Sequence, residues 1–105
     1  MAMLDVKEVT LLSAVTGITA GTALKANRQK GWTYVYVATG GTVAGSVFID
    51  AYIGGEWRVI DQQNLTAATT VVVRDEYGHY PQIRGRVVST DGTYSIYAVG
   101  STTGY

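Results

Sequence analysis

The sequence holds one histidine, His79, and no cysteine. A hydrolase built on a single histidine needs a nucleophile on one side of it and an orienting carboxylate on the other. Asp75 and Glu76 are close in sequence. Yet the segment D75-E-Y-G-H-Y-P81 reads as a polar, aromatic surface loop closed by the only proline, and His79 as a solvated loop residue. A lone histidine without cysteine also excludes the usual zinc sets. The other acids of the patterned region are Asp50, Glu56, Asp61 and Asp91. Asp50 and Glu56 flank Gly54-Gly55 and come near one another. A glycosidase needs two carboxyls about 5–10 Å apart across a cleft, and nothing in the pattern supplies the pocket that would raise one of them. No acidic loop has calcium spacing, and no glycine run follows a strand and opens a helix to cradle phosphate. The chain is therefore expected to be no enzyme and to carry no cofactor or metal.

Eight tyrosines and two tryptophans are the richer chemistry. Aromatic faces stack on sugar rings, and Tyr, Trp and Arg concentrate at protein interfaces. They also pair across strands and stabilise a sheet. A sugar-binding use would draw on Trp32, Tyr77 and Tyr80. Arg84 and Arg86 share one strand face opposite Ile83 and Val87. They are either solvated charges that discourage strand pairing or contacts to a partner's carboxylate. Leu4, Leu11 and Leu12 make an apolar N-terminal segment, either a first strand or an arm reaching a neighbour. The candidate partner-binding set is thus Leu4, Leu11, Leu12, Tyr77, His79, Tyr80, Arg84 and Arg86.

These residues need a frame, and composition bounds it. A chain of 105 residues is one domain, which buries roughly 65% of its extended surface on folding. Residues 1–20 are an arm or first strand, and residues 101–105 a polar tail. Charged residues are only 15% of the chain, against about 25% in a typical domain, so part of the surface is expected to be covered by something else. Eight basic and eight acidic residues cancel. That leaves no basic field for nucleic acid and no cationic face for an anionic membrane. Neither partner is expected. The N-terminus lacks the apolar core of a signal peptide, and no stretch approaches the ~18 apolar residues of a membrane span. Synthesis in a cytoplasm, or assembly from there into something larger, is the expectation.

The hydrophobic pattern is that of strands. From Val47 to Val99 apolar and polar residues alternate with a period near two, the signature of strands packed on one face. Eight candidate strands are separated by glycine-rich turns, among them Gly40-Gly41, Gly54-Gly55 and Asp91-Gly92. No segment shows a persuasive helical period. Short strands at such spacing predict an all-β fold, an antiparallel β-sandwich in the form of an eight-stranded jelly roll, with an up-and-down barrel as the alternative. Val47, Ile49, Trp57, Val59, Ile83, Val87 and Ile96 are expected to build the core.

The carriers V47-F-I-D-A-Y-I53, G54-G-E-W-R-V-I60, I83-R-G-R-V-V88 and D91-G-T-Y-S-I-Y97 make a recurring order. It runs alternating strand, glycine hairpin, Trp, Thr-rich spacer, R-x-R strand, D-G-T turn and closing strand. In this it resembles the small jelly-roll capsid decoration (cement) proteins of tailed bacteriophages. The resemblance covers about half the chain, and its motifs specify a hairpin framework more than a function. It implies a structural protein, a homotrimer bound to the major capsid protein on the outer surface of the virion, made in the host cytoplasm and stabilising the shell. A tail or head–tail component, or a carbohydrate-binding module or fibre tip, are the other readings. No functional residue carries over, because recognition in that family is spread over surfaces.

Overall fold

The computed structural model describes residues 6–26, 31–75 and 80–101. Leu4, Tyr77 and His79, and the tail beyond Ser101, lie outside them. The described residues form seven strands and no helix: β1 (Val6–Val15), β2 (Ile18–Ala20), β3 (Leu24–Lys25), β4 (Gly31–Ile53), β5 (Glu56–Leu65), β6 (Thr69–Asp75) and β7 (Gln82–Ser101). All pairings are antiparallel. The all-β, antiparallel expectation is met. Two expected turns lie inside the long strands β4 and β7, which takes the eight expected strands to six, and the short strand β2 makes seven; they form one hydrogen-bonded sheet.

Two long strands, β4 of 23 residues and β7 of 20, pair with each other along their length and organise the rest. The first half of β4 carries β6 on its other side, and the second half carries β5. The end of β7 carries β1, and its beginning carries β2 and β3.

Gly40-Gly41 and Asp91-Gly92 read as turns in the sequence, but each is a bend within a strand. Thr39 pairs with Thr93 and Ala44 with Asp91, so Gly40, Gly41, Thr42 and Val43 stand opposite Gly92 alone. This wide bulge bends both strands at one level. Gly92 sits at φ 101°, a conformation open to glycine. A D-G pair flanked by alternating residues serves a bend as well as a hairpin, and here the unbroken ladder with β4 outweighs the local turn.

The bulge also changes the phase of β4. Trp32, Tyr34, Tyr36 and Ala38 point inward before it, and Val43, Val47, Ile49 and Ala51 after it. Ile83 and Val87 face inward from the start of β7, and Tyr94, Ile96 and Ala98 from its end. The sheet therefore folds back on itself into two layers. The first is β1, the end of β7, the start of β4, and β6. The second is β2 and β3, the start of β7, the end of β4, and β5. A methyl group at Gly85 of the second layer would lie 3.1 Å from both Ile96 Cδ1 and Leu11 Cβ of the first. The layers thus meet so closely at Gly85 that a side chain there would have to displace its neighbours, a packing consistent with a sandwich.

Five of the expected core residues, Val47, Ile49, Ile83, Val87 and Ile96, are fully buried. Trp57 and Val59 are not core residues, and Val59 is 49% exposed. The two-residue turn Gly54-Gly55, with φ of 65° and 82°, pairs Ile53 with Glu56 and Tyr52 with Trp57. Trp57 therefore shares the outward face of Tyr52, and Val59 that of its partner Asp50. A bulge then inserts Ile60, because Asp61 pairs with Ile49. The phase flips there, and Asp61 turns inward to accept a hydrogen bond from the Tyr36 hydroxyl at 2.5 Å.

Candidate functional site

The outward face of the second layer gathers one cluster of charged and aromatic side chains. Alternation along β4 turns Phe48, Asp50 and Tyr52 outward, and along β7 it turns Arg84, Arg86 and Val88 outward. The β4–β7 register sets Phe48 opposite Arg86 and Asp50 opposite Arg84. On the flanks, β5 adds Trp57 and Val59, and β2 adds Ile18 beside Val88.

Asp50 is the hub. Its side chain is 2% exposed and is the one buried charged group among the described residues. Arg84 Nε donates to its Oδ2 at 3.1 Å, and Arg86 Nε to the same oxygen at 2.8 Å. Arg86 Nη2 reaches Oδ1 at 3.3 Å. A buried carboxylate requires such pairing, since desolvation of a lone charge is costly. The guanidinium groups are held flat by the rings beside them. Arg84 lies 4.4 Å from the centre of the Trp57 ring, and Arg86 lies 4.0 Å from that of Phe48. Tyr52 packs edge-on against Trp57 with centroids 5.3 Å apart. Rings and carboxylate fix two cations on a surface that stays about one quarter open at each arginine side chain.

Two guanidiniums against one carboxylate leave the cluster with a positive excess. Around it lie exposed apolar residues: Ile18 (81% exposed), Val88, Val59 and Tyr52. Arg and aromatic residues of this kind are the types that concentrate at protein interfaces.

Arg84 and Arg86 are the candidate residues that this face brings together. Leu11 and Leu12 are elsewhere. A register shift between Thr10 and Leu12 lets β1 turn both into the core, and neither offers a surface to a partner. Tyr80 is half-buried, packs against the core and donates its hydroxyl to Asp75 at 2.5 Å. Trp32, the proposed stacking platform for sugars, is fully buried with its ring parallel to that of Tyr34. Asp50 was legible in the sequence only as a possible acid near Glu56. Its real neighbours follow from the β4–β7 register, which a single sequence does not disclose. Trp57 and Tyr52 were findable, because a two-residue glycine turn fixes their pairing. Among the described residues no group of three or more His, Cys, Asp or Glu is placed to hold a metal ion, and no helix is long and apolar enough to cross a membrane.

No protein-family model matches the chain, and no curated protein matches its sequence. Solved structures do match. The chain shares its fold with the SPBc2 prophage-derived protein YomS. The TM-score is 0.73 over 96% of each chain, at 13% sequence identity. A more distant likeness is to PirA, with a TM-score of 0.53 over 91% of this chain and 92% of that one, also at 13% identity. At such identities the likeness concerns the fold.

Proposed function

We propose that this protein is a non-enzymatic structural component of a tailed-phage or prophage virion, a decoration protein that binds the major capsid protein on the outer capsid surface. The arginine–aromatic face of the second layer is its docking surface. The observation that carries the reading is the cluster of Asp50, Arg84, Arg86, Phe48 and Trp57 amid exposed apolar residues. A sheet face with those contents is suited to burial against another protein. The fold shared with a prophage-derived protein supports the phage setting, as does the sequence pattern that resembles capsid cement proteins. The positive excess of the face favours an acidic patch on the partner, to which Arg84 and Arg86 present planar, pre-oriented donors.

The test is co-sedimentation with heads of the phage or prophage that carries the gene, prepared without this protein. Saturable binding is expected. Ile18→Lys combined with Val59→Lys changes side chains that are 81% and 49% exposed, so the fold should persist. The pair should weaken binding at least tenfold. Absence of any binding to heads, or full binding by this variant, would overturn the proposal.

A further inference from the structure

A sheet edge carries a row of unpaired backbone donors and acceptors, and folded proteins blunt such edges with charges, bulges or short strands. The free edges here differ in this respect. β1 is broken by two register shifts and a residue at positive φ, Ala14. β2 and β3 have three and two residues. β5 carries Glu56, Arg58 and Asp61 and the bulge at Ile60. β6 has no bulge, is longer than β2 and β3, and carries charge only at its last two residues. Its seven residues, T69-T-V-V-V-R-D75, pair with β4 in unbroken register from Trp32–Asp75 to Ala38–Thr69. Among the described residues it pairs with β4 alone. It contains no lysine or proline, its charges sit at one end, and Val72 at its centre is 59% exposed.

The residues of β6 are also complementary to themselves. If a second β6 lies antiparallel with Val72 opposite its own copy, all seven residues find partners. Val71 then faces Val73, Thr70 faces Arg74 and Thr69 faces Asp75. No like charges meet. Val71 and Val73 are half-buried at the rim of the core, and the pairing joins the cores of two subunits across the seam. A shift by one residue toward Val73 would set Arg74 against Val72 and Asp75 against Val71. The opposite shift would leave Arg74 and Asp75 unpaired.

We infer that the second copy of this chain is the partner of β6: two chains pair edge to edge about a two-fold axis at Val72 and form one continuous sheet. Such an interface is closed and self-complementary, unlike the three-fold arrangement that the capsid-protein resemblance implies.

Light scattering on the purified chain should give twice the 11.2 kDa chain mass. Val72→Lys should halve that mass by placing two ammonium groups across the axis. The absence of native cysteine makes cross-linking clean. Val72→Cys should form a covalent dimer under mild oxidation, because directly opposed residues come within reach of a disulfide. Thr70→Cys should not, since its copy lies four residues along the partner strand. A mass of one or three chains, or cross-linking no faster at position 72 than at position 70, would overturn the inference. These outcomes do not depend on any capsid and leave the docking proposal to its own test.

Discussion

Replacing Asp50 by Asn is the most direct probe of the arginine cluster. The substitution keeps the shape and an acceptor but removes the charge that two guanidiniums share. A hydrogen bond to a charged group is worth about 1.5–3 kcal/mol. The neutral amide keeps part of each, and both arginine side chains are about one quarter exposed, so solvent screens what is lost. We assign about 1 kcal/mol to each contact on that basis. Two cations then face each other with no anion between them. At roughly 6 Å and an effective dielectric of about 40, their repulsion adds about 1 kcal/mol. The sum is about 2–4 kcal/mol, a large share of the stability of a small domain, and corresponds to a fall in Tm of roughly 10–25 °C. Urea unfolding at low and high salt measures it. Salt near 1 M shortens the screening length to about 3 Å and should return the repulsive part only. Adding Arg86→Gln removes one cation, so the double variant should lose less than the two single losses combined, by about 1 kcal/mol or more. An Asp50→Asn variant within about 0.5 kcal/mol of the parent, or strict additivity, would refute the assignment of Asp50 as the hub.

Three further outcomes follow from the core. Tyr36→Phe should destabilise by about 1–2 kcal/mol, since its hydroxyl donates to Asp61. Tyr34→Phe should be neutral or stabilising, because its hydroxyl is buried without a hydrogen-bond partner among the described residues; equal losses in chemical denaturation would contradict this. Gly45→Ala should cost more than Gly85→Ala. Its methyl would lie 2.5 Å from Ser89 Cβ and 2.7 Å from the Tyr94 hydroxyl, whereas at Gly85 the nearest atoms are 3.1 Å away. The reverse order of Tm values would show the packing to be misjudged. Burial first, and then the hydrogen bond to Asp61, hold the Tyr36 phenol protonated well above its ordinary range. Burial and the bond to Asp75 do the same for Tyr80, and burial with the nearby Asp75 charge for Tyr34. A folded-state pKa above the unfolded value near 10 means that this stability is complete below about pH 10 and is lost as pH rises beyond it. The phenolate absorbance of these three tyrosines, isolated by difference against their Phe variants, should therefore rise late and together with unfolding, and their titration near pH 10 in the folded chain would argue against it.

The strands were legible wherever one face alone is buried. Val47, Ile49, Ile83, Val87 and Ile96 announce themselves through alternation, and the Gly54-Gly55 turn through its need for positive φ at both residues. Reading failed where long-range pairing outweighs local signals. Gly40-Gly41 and Asp91-Gly92 carry hairpin chemistry, but each lies against the other strand's bend, and the pair bends together as one bulge. The aromatic core was misjudged for a related reason. Trp32, Tyr34 and Tyr36 alternate as cleanly as any aliphatic run, yet Trp32 reads as a sugar platform and the two tyrosines stay out of the expected core, whereas all three are buried and among the described residues only Tyr36 of them has a side-chain hydrogen bond. Arg84 and Arg86 were correctly seen to share a face. Their carboxylate partner lies 34 and 36 residues away in sequence, on another strand, and only the register supplies it.

The two proposed surfaces lie on opposite layers, and this has a consequence for binding. β6 belongs to the first layer, and the arginine face is the outer side of the second. Antiparallel pairing of two copies of β6 sets the two-fold axis across the sheet, so residues on one face of either strand stay on one face of the joined sheet. Both second layers then stand on the same side of it, and both arginine faces point the same way. A dimer so built would meet a capsid surface with two docking faces at once, and the second contact would form at the effective concentration set by the first. Val72→Lys should thus weaken binding to heads by about 10²–10⁴-fold, although Val72 is far from the docking face and the single-face affinity is untouched. The monomeric variant should still bind weakly, with the same sensitivity to Ile18→Lys as the parent. If Val72→Lys separated the chains yet bound heads as tightly as the parent, the two faces would not be engaged together.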